Sequence, residues 1–135
     1  MASVDLADLL HRRIPRLPDS VVVVPIPTTP AHIRERGYDH MLLIARDFSK
    51  LRKLRVETIL KRNNTFVQHH ANREERLIQA ASAFKIEGTI DPSRVYLLLD
   101  DVVTTGATIT QAAKLLRAAG AVYVWAAVTS RQPID

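Results

Sequence analysis

The 135-residue sequence contains no cysteine, only 4 glycines, and few aromatic residues, which make up 5% of it. Without cysteine, these residues can form neither disulfides nor thiolate metal sites. No run approaches the roughly 18 consecutive apolar residues expected of a membrane-spanning helix. The first residues also lack the basic start and apolar stretch of a signal peptide. We therefore expect a cytoplasmic protein that does not enter a membrane.

The charge that is present is mostly positive, with a net charge of +5 and a sequence pI near 10.0. A basic protein favours anionic partners, and a phosphorylated small molecule, a nucleic acid and an acidic protein all fit. A simply solvated basic surface explains the charge equally well. The scarcity of aromatic side chains leaves few platforms on which the bases of single-stranded DNA could stack.

Apolar runs alternate with helical patterns along the chain. The predicted elements are strands over 21–24, 56–60, 94–99 and 121–129, and helices over 4–10, 39–54 and 107–119. Four consecutive valines in the first strand indicate burial on both faces, as in a parallel sheet. Pro25 and Pro27 are expected to end its pairing, because proline lacks an N–H donor. The alternation predicts an α/β fold with a doubly wound, mainly parallel sheet and helices on both faces.

Helix ends and faces can also be predicted from single residues. Asp39 is expected to cap the helix over 39–54, and Gly120 to follow the last helix in a left-handed conformation. The predicted buried face of the middle helix consists of Met41, Ile44, Ala45, Phe48 and Leu51. We expect a single domain over residues 1–135, with a core over 21–130. Residues 1–20 form its N-terminal segment, and the polar stretch 61–82 is expected to be a flexible loop.

The segment that carries chemistry follows the third strand. Asp100 and Asp101 stand at the carboxyl end of that strand, where ligands bind in open α/β sheets. Carboxylates there can accept hydrogen bonds from vicinal hydroxyls of a sugar. The following turn, rich in Thr and Gly, opens a helix whose first N–H groups suit a phosphate. Strand ends and helix starts also favour Asp and Thr for solvation and capping alone. The complete pattern favours a ribose 5-phosphate site.

Residues 97–108 read Leu-Leu-Leu-Asp-Asp-Val-Val-Thr-Thr-Gly-Ala-Thr. This segment resembles the binding signature for 5-phosphoribosyl-1-pyrophosphate (PRPP) of type I phosphoribosyltransferases. More narrowly, the chain resembles the competence protein ComF family, through residues 24–27, 34–38 and 68–84. The resemblance covers about residues 21–130. It implies the type I phosphoribosyltransferase fold, here with a minimal hood formed by residues 1–20 and the last five residues.

The resemblance also implies roles for individual residues. Asp100 and Asp101 would be the catalytic residues that hold the ribose hydroxyls, directly or with a Mg²⁺ ion. The PRPP and phosphate-binding segment would comprise Asp100, Asp101, Val102, Val103, Thr104, Thr105, Gly106, Ala107 and Thr108. The pyrophosphate loop would comprise Pro27, Thr28 and Thr29, with Arg34 and Arg36 neutralising charge or merely solvated. The flexible-loop candidates that would reach inward are Gln68, Arg73 and Arg76.

The sequence departs from the family pattern at several positions. Gly37-Tyr38-Asp39-His40 stands where Gly-Phe-Asn-Gln is usual, and the N-terminal zinc-binding cysteine pairs of the family have no counterpart here. His69 and His70 suggest a metal site, but adjacent side chains diverge and a stable site needs three or four ligands. A mobile polar loop, or a hydrogen bond from His69 to a phosphate, is the simpler interpretation of the two histidines.

Two main functions follow from the resemblance, and a regulator whose partner binding depends on PRPP is a third. The first is Mg²⁺-dependent transfer of a 5-phosphoribosyl group from PRPP to a nucleobase-like or other nitrogenous acceptor, with release of pyrophosphate. The second is a non-catalytic module that binds PRPP or a nucleotide and acts in DNA uptake or processing. Its partners would be single-stranded DNA or a competence protein. A homodimer is expected from the resemblance alone, and the sequence does not identify the acceptor.

Overall fold

The computed structural model describes residues 3–63, 83–103 and 106–131. The helices are α1 (Ser3–Arg13), α2 (Pro30–Arg36), α3 (His40–Arg52) and α4 (Ala107–Ala118). The strands are β1 (Val21–Pro25), β2 (Arg55–Val56), β3 (Leu60–Arg62), β4 (Phe84–Ile86), β5 (Val95–Val103) and β6 (Tyr123–Arg131).

Four strands form one parallel sheet in the order β2-β1-β5-β6. Strand β1 pairs with β5 from Val21 opposite Val95 to Pro25 opposite Leu99. Strands β3 and β4 form a separate antiparallel pair in which Arg62 lies opposite Phe84. The predicted, mainly parallel α/β architecture is confirmed.

The valine run of β1 is buried on both faces, as its composition predicts. Val21 and Val23 join a core cluster with α1 and α3 on one face of the sheet. Val22 and Val24 join a second cluster with α4 and the β3–β4 pair on the other face. Because successive strand residues point to opposite faces, one uninterrupted apolar run supplies both layers of core.

Helix α3 begins where the sequence predicts. Asp39 is its N-cap, and one carboxylate oxygen accepts the Leu42 N–H at 3.2 Å. Its buried face includes four of the five predicted residues, but Leu51 is 47% exposed. The buried face ends with Phe48 and Ser49, and Leu51 falls outside it.

Arg52 fastens α1 to α3. Its guanidinium donates to the carbonyl oxygens of His11, Ile14 and Pro15 and to His11 Nδ1. Because the last carbonyls of a helix have no partner within it, these bonds satisfy the end of α1. Residues 4–10, predicted as a helix, lie within this longer, anchored element.

Several predicted strands were wrong in extent. Pairing continues through Pro25, because proline keeps its carbonyl and Ile26 N–H donates to Leu99 O at 2.9 Å. The predicted strand over 56–60 is two strands, β2 and β3, which belong to different sheets. Residues 61 and 62, placed in the predicted flexible loop, belong to β3.

The third and last predicted strands also differ from the structure. Strand β5 does not end at the aspartates but runs to Val103, paired beyond Leu99 with β6 alone. Strand β6 begins at Tyr123 and ends at Arg131, later than predicted. The short helix α2 was not predicted, because Pro27, Thr28, Thr29 and Pro30 are typical of a loop.

The end of α4 agrees with the prediction. The helix ends at Ala118, and Gly120 has a φ of +117°, a backbone conformation that side-chain-bearing residues rarely adopt. No helix within the described part of the chain is long and apolar enough to cross a membrane.

Candidate functional site

The carboxyl ends of β1 and β5 open into a cleft of about 190 Å³. Its predicted lining residues are Pro27, Thr28, Thr29, Arg36, Asp100, Asp101 and Thr108. Ile26, Met41 and Arg62 complete the lining. The structure therefore brings together the acidic pair, the loop after β1 and the first turn of α4, which are far apart in sequence.

Asp100 and Asp101 are the first β5 residues beyond the stretch that pairs with β1. An Asp100 carboxylate oxygen accepts the Asp101 N–H at 2.9 Å. The Asp101 carbonyl accepts the Thr129 hydroxyl at 2.5 Å, which ties this part of β5 to β6. Since β1 has already ended here, both acidic side chains can line the cleft while their backbone stays in the sheet.

Burial raises the pKa of Asp100 above its ordinary value, and the nearby charge of Asp101 raises it further. The hydrogen bond from Asp101 N–H and the positive charge of Arg62 lower that pKa in part. An ionised Asp100 is thus incompletely compensated by the protein. Hydroxyl donors or a cation in the cleft would stabilise its charge.

Asp39 organises the loop opposite the acids. One of its carboxylate oxygens accepts the Thr28 hydroxyl at 2.6 Å, and the other accepts the Thr28 N–H at 3.4 Å. The first oxygen also caps α3 through Leu42 N–H. A single side chain therefore fixes both the start of α3 and the position of Thr28.

Arg62 lines the cleft but was not among the residues predicted for the site. Its Nε–H donates to Pro27 O at 3.0 Å, and its guanidinium carbon lies 5.0 Å from the Phe84 ring centroid. The sequence signal was weak, because Arg62 is one of 19 lysines and arginines. Only the pairing of β3 with β4 and the contact with Pro27 bring it to the cleft.

The two arginines of the predicted pyrophosphate loop have different positions. Arg36, the last residue of α2, lines the cleft, whereas Arg34 is exposed on α2 and does not line it. Residues two apart on a helix point in very different directions, which separates them. Of the predicted phosphate-binding residues, Val102 and Val103 lie in β5, where their backbone pairs with β6.

Gly106 precedes α4 with a φ of +80°, a conformation that favours glycine. Its carbonyl accepts Thr110 N–H at 2.9 Å, the first bond of the helix, and Ala107 is the first helical residue. Thr104 and Thr105, together with the loop candidates Gln68, Arg73 and Arg76 and the histidines 69 and 70, lie outside the described residues.

His40 is buried at the start of α3, at a position where the sequence departs from the family pattern. Burial lowers its pKa, and the positive charge of Arg36 lowers it further, against opposing effects of Asp101 and Asp39. Among the described residues, His40 Nδ1 has no hydrogen-bond partner. A neutral imidazole at this place is consistent with its burial and with the nearby charge of Arg36.

The acidic pair suits one kind of cation site. Within residues 3–63, 83–103 and 106–131, no cluster of three or more His, Asp or Glu side chains could enclose a metal. Mg²⁺ is commonly held by one or two carboxylates, waters and the phosphates of a substrate. Asp100 and Asp101 fit such an ion when a phosphorylated ligand supplies the remaining oxygens.

Comparisons with known proteins identify relatives of the chain. No protein-family model matches the chain. Competence protein F of Haemophilus influenzae is 30% identical over 82% of this chain and 50% of its own length. DNA utilization protein YhgH of Escherichia coli K12 is 32% identical over 89% of this chain and 55% of its own. The chain spans about half the length of these relatives.

Solved structures share the fold at low sequence identity. An allosteric regulatory enzyme of purine biosynthesis superposes with a TM-score of 0.68 at 17% identity, covering 95% of this chain and 25% of that one. Glutamine PRPP amidotransferase of B. subtilis superposes with a TM-score of 0.66 at 19% sequence identity, covering 95% of this chain and 26% of that one. A hypoxanthine phosphoribosyltransferase of Staphylococcus aureus superposes with a TM-score of 0.51 at 12% sequence identity, covering 94% of this chain and 63% of that one.

Proposed function

Since the chain is a relative of the competence protein ComF family and has the fold of type I phosphoribosyltransferases, we propose that its cleft binds PRPP. The reaction would be Mg²⁺-dependent transfer of the 5-phosphoribosyl group to a nitrogenous acceptor. The bond between C1 of the ribose and pyrophosphate breaks, and a bond from C1 to the acceptor nitrogen forms. Pyrophosphate leaves, and the acceptor loses a proton to solvent.

One observation carries this function. Asp100 and Asp101, which follow the buried part of β5, share a cleft with hydroxyl and cationic groups suited to phosphates, namely those of Thr28, Arg36 and Thr108. A ligand that carries sugar hydroxyls between two phosphate groups matches both chemistries at once. A simple phosphate ester without hydroxyls would leave the half-buried carboxylate of Asp100 with only the Asp101 N–H as its hydrogen-bond donor among the described residues.

Each group would then have a physical task. Asp100 and Asp101 accept hydrogen bonds from the ribose hydroxyls, while Thr108 and the first N–H groups of α4 bind the 5-phosphate. Thr28, Thr29 and Arg36 hold the pyrophosphate and stabilise the charge that develops as it leaves. Mg²⁺ bound by Asp100 and Asp101 would neutralise charge on the pyrophosphate oxygens. Catalysis on this basis comes from positioning and charge stabilisation.

The remaining features of the function are also proposals. Gln68, Arg73 and Arg76 would act from a loop that excludes water from the reacting centre. Arg34, exposed on α2, would contribute to the charge around the cleft. Residues 21–130 would form the ligand-holding core of a single domain, with residues 1–20 as the hood. A nucleobase-like acceptor, a homodimer and a cytoplasmic location complete the proposal.

The second candidate is a PRPP-binding module without turnover that serves DNA uptake or processing. The printed names of the relatives, Competence protein F and DNA utilization protein YhgH, favour it. The net charge of +5 suits single-stranded DNA or an acidic protein partner. Both candidates share the ligand, so PRPP binding is the first property to measure.

A thermal-shift titration with PRPP and Mg²⁺ tests that property. A ligand at a hundred times its dissociation constant stabilises a protein by about 2.7 kcal/mol. For a domain of this size, we expect a rise in Tm of roughly 5–10 °C. The double variant Asp100→Asn, Asp101→Asn should remain folded and lose this rise, because its neutral amides replace the carboxylates that hold the hydroxyls and Mg²⁺.

The matched control is the double variant Asp8→Asn, Glu87→Gln, which removes two negative charges that lie in surface ion pairs away from the cleft. It should keep the full PRPP response. An unchanged PRPP shift in the folded Asp100, Asp101 variant would refute the site. No PRPP response, but a salt-sensitive response to single-stranded DNA, would favour a DNA-binding scaffold. Product formation from PRPP and trial acceptors then separates the enzyme from the module.

A further inference from the structure

Arg62 reaches the cleft from a part of the fold that contributes none of the residues assigned above. It lies on β3, in the two-stranded sheet, whereas Asp100 and Asp101 belong to the four-stranded sheet and Arg36 to α2. Its side chain nevertheless lines the same cleft as these three residues. The tertiary structure thus adds a second arginine to the one already placed beside the loop after β1.

The side chain of Arg62 is held by uncharged groups. Its Nε–H donates to the Pro27 carbonyl at 3.0 Å, and its guanidinium packs over the Phe84 ring. These contacts fix the orientation of the side chain without neutralising it. A guanidinium has five N–H donors, and the bond to Pro27 uses the one on Nε.

The surroundings leave the charge of Arg62 incompletely compensated. Burial lowers its pKa, and the charges of Asp100 and Asp39 raise it only in part. Asp39 already accepts hydrogen bonds from Thr28 and Leu42. A half-buried cation held in place beside a polar cleft favours an anionic ligand, because the anion would replace hydration that the cation has lost.

Two arginines at one cleft are suited to binding a diphosphate in preference to a monophosphate ester. A diphosphate carries more charge and more acceptor oxygens than a monophosphate ester, and guanidinium groups bind such oxygens in a fixed, bidentate geometry. Pro27, which orients Arg62, also begins the loop that carries Thr28. Arg62 and that loop are therefore positioned as one unit.

We propose that Arg62 binds the diphosphate of the ligand together with Arg36 and makes the cleft selective for diphosphates over monophosphate esters. This inference rests on the proposed function for the identity of the ligand, PRPP. It adds a specificity-determining residue from the β3–β4 pair. Inorganic pyrophosphate, which contains the diphosphate alone, tests it independently of the sugar.

The experiment compares affinities for pyrophosphate, PRPP and ribose 5-phosphate, each measured calorimetrically with Mg²⁺. Arg62→Gln should reduce the affinities for pyrophosphate and PRPP by roughly tenfold or more, while the affinity for ribose 5-phosphate changes less than about threefold. Arg62→Lys should recover part of the loss, because it restores the charge but not the planar fork. Thermal unfolding without ligand verifies that each variant is folded.

The matched control is Lys61→Gln, which removes the same charge from the adjacent position of β3. Successive strand residues point to opposite faces, and Lys61 does not line the cleft. It should change all three affinities by less than about threefold. This variant separates a specific contact from a general loss of positive potential.

The outcomes are distinct. Wild-type affinities in Arg62→Gln, or equal losses for all three ligands, would overturn the role of Arg62 while leaving PRPP binding intact. Losses of the same size in Lys61→Gln would also overturn it. Binding of pyrophosphate but not PRPP to the wild type would contradict the proposed function, and the pyrophosphate comparison would still decide the role of Arg62. Binding of neither ligand would overturn both.

Discussion

Arg52 and Arg62 stand in two regions of the molecule with opposite characters. Arg52, at the end of α3, donates to three backbone carbonyls and one histidine nitrogen, and its guanidinium packs over Phe48. Arg62, beside the carboxyl ends of the strands, donates through Nε to one carbonyl and packs over Phe84. Within the part of the chain that the structure describes, the first makes four hydrogen bonds, whereas the second makes one and lines a cleft.

The same contrast separates the two parts of β5. Residues 95–99 are apolar, buried and paired on both sides, with β1 and β6. Beyond Leu99, β5 pairs with β6 alone through Asp100, Val102 and Val103, because β1 has ended, and this part begins with two acids that line the cleft. Stability therefore depends mainly on the first part and ligand binding on the second. Substitutions in the two regions should affect different measurements.

The largest expected effect on stability is in the buried part of β5. Leu98→Ala removes a fully buried side chain and leaves a cavity, which should lower the free energy of unfolding by about 2–5 kcal/mol. Urea denaturation measures this change. Val122→Ala, at a position that is 58% exposed, is the matched control and should change stability by less than about 0.5 kcal/mol. Similar losses in both variants would contradict the assignment of the core.

A smaller loss is expected at the anchored end of α1. Arg52→Gln removes most of the bonds to the carbonyls of His11, Ile14 and Pro15, and it should reduce the free energy of unfolding by about 2 kcal/mol. PRPP affinity of the folded protein should stay within about threefold of wild type. Arg46→Gln, an exposed change on the same helix, should be nearly neutral in both measurements. A selective loss of PRPP binding in Arg52→Gln would contradict the assignment of Arg52 to stability and of Arg62 to ligand binding.

The smallest effect concerns Asp100 in the absence of ligand and Mg²⁺. Because burial raises its pKa in the folded state, the ionised form opposes folding relative to the protonated form. Its stabilising contribution is present below the pKa of the unfolded chain and is lost as the pH rises through the folded pKa. Asp100→Asn should therefore be more stable than wild type at neutral pH. Urea denaturation across pH 3–8 should show the difference shrinking as the solution is acidified.

An opposite sign, with Asp100→Asn less stable than wild type at neutral pH, would mean that the protein itself compensates the carboxylate. Asp91→Asn serves as the comparison at an exposed carboxylate. There, hydrogen bonds from the Ser93 hydroxyl and N–H lower the pKa, so removal of the charge should destabilise the protein at neutral pH. The two aspartates should thus respond in opposite directions.

Much of the fold could be predicted from residue patterns. The valine run predicted a strand buried on both faces, Asp39 predicted the start of α3, and Gly120 predicted the turn after α4. Each of these features depends on local chemistry, namely burial of apolar side chains, capping and positive φ. The division of residues 56–62 between two sheets could not be predicted from the local sequence, because strand pairing depends on distant partners.

The candidate site divides in the same way. The sequence by itself determined the acidic pair after an apolar run, the Thr- and Gly-rich turn and the loop after β1, because the change from buried strand to exposed turn imposes recognisable residue types. Only the tertiary structure decided that Arg36 lines the cleft while Arg34 does not, and that Arg62 joins it. Those positions depend on the direction of α2 and on the pairing of β3 with β4, which place residues far apart in sequence around one cleft.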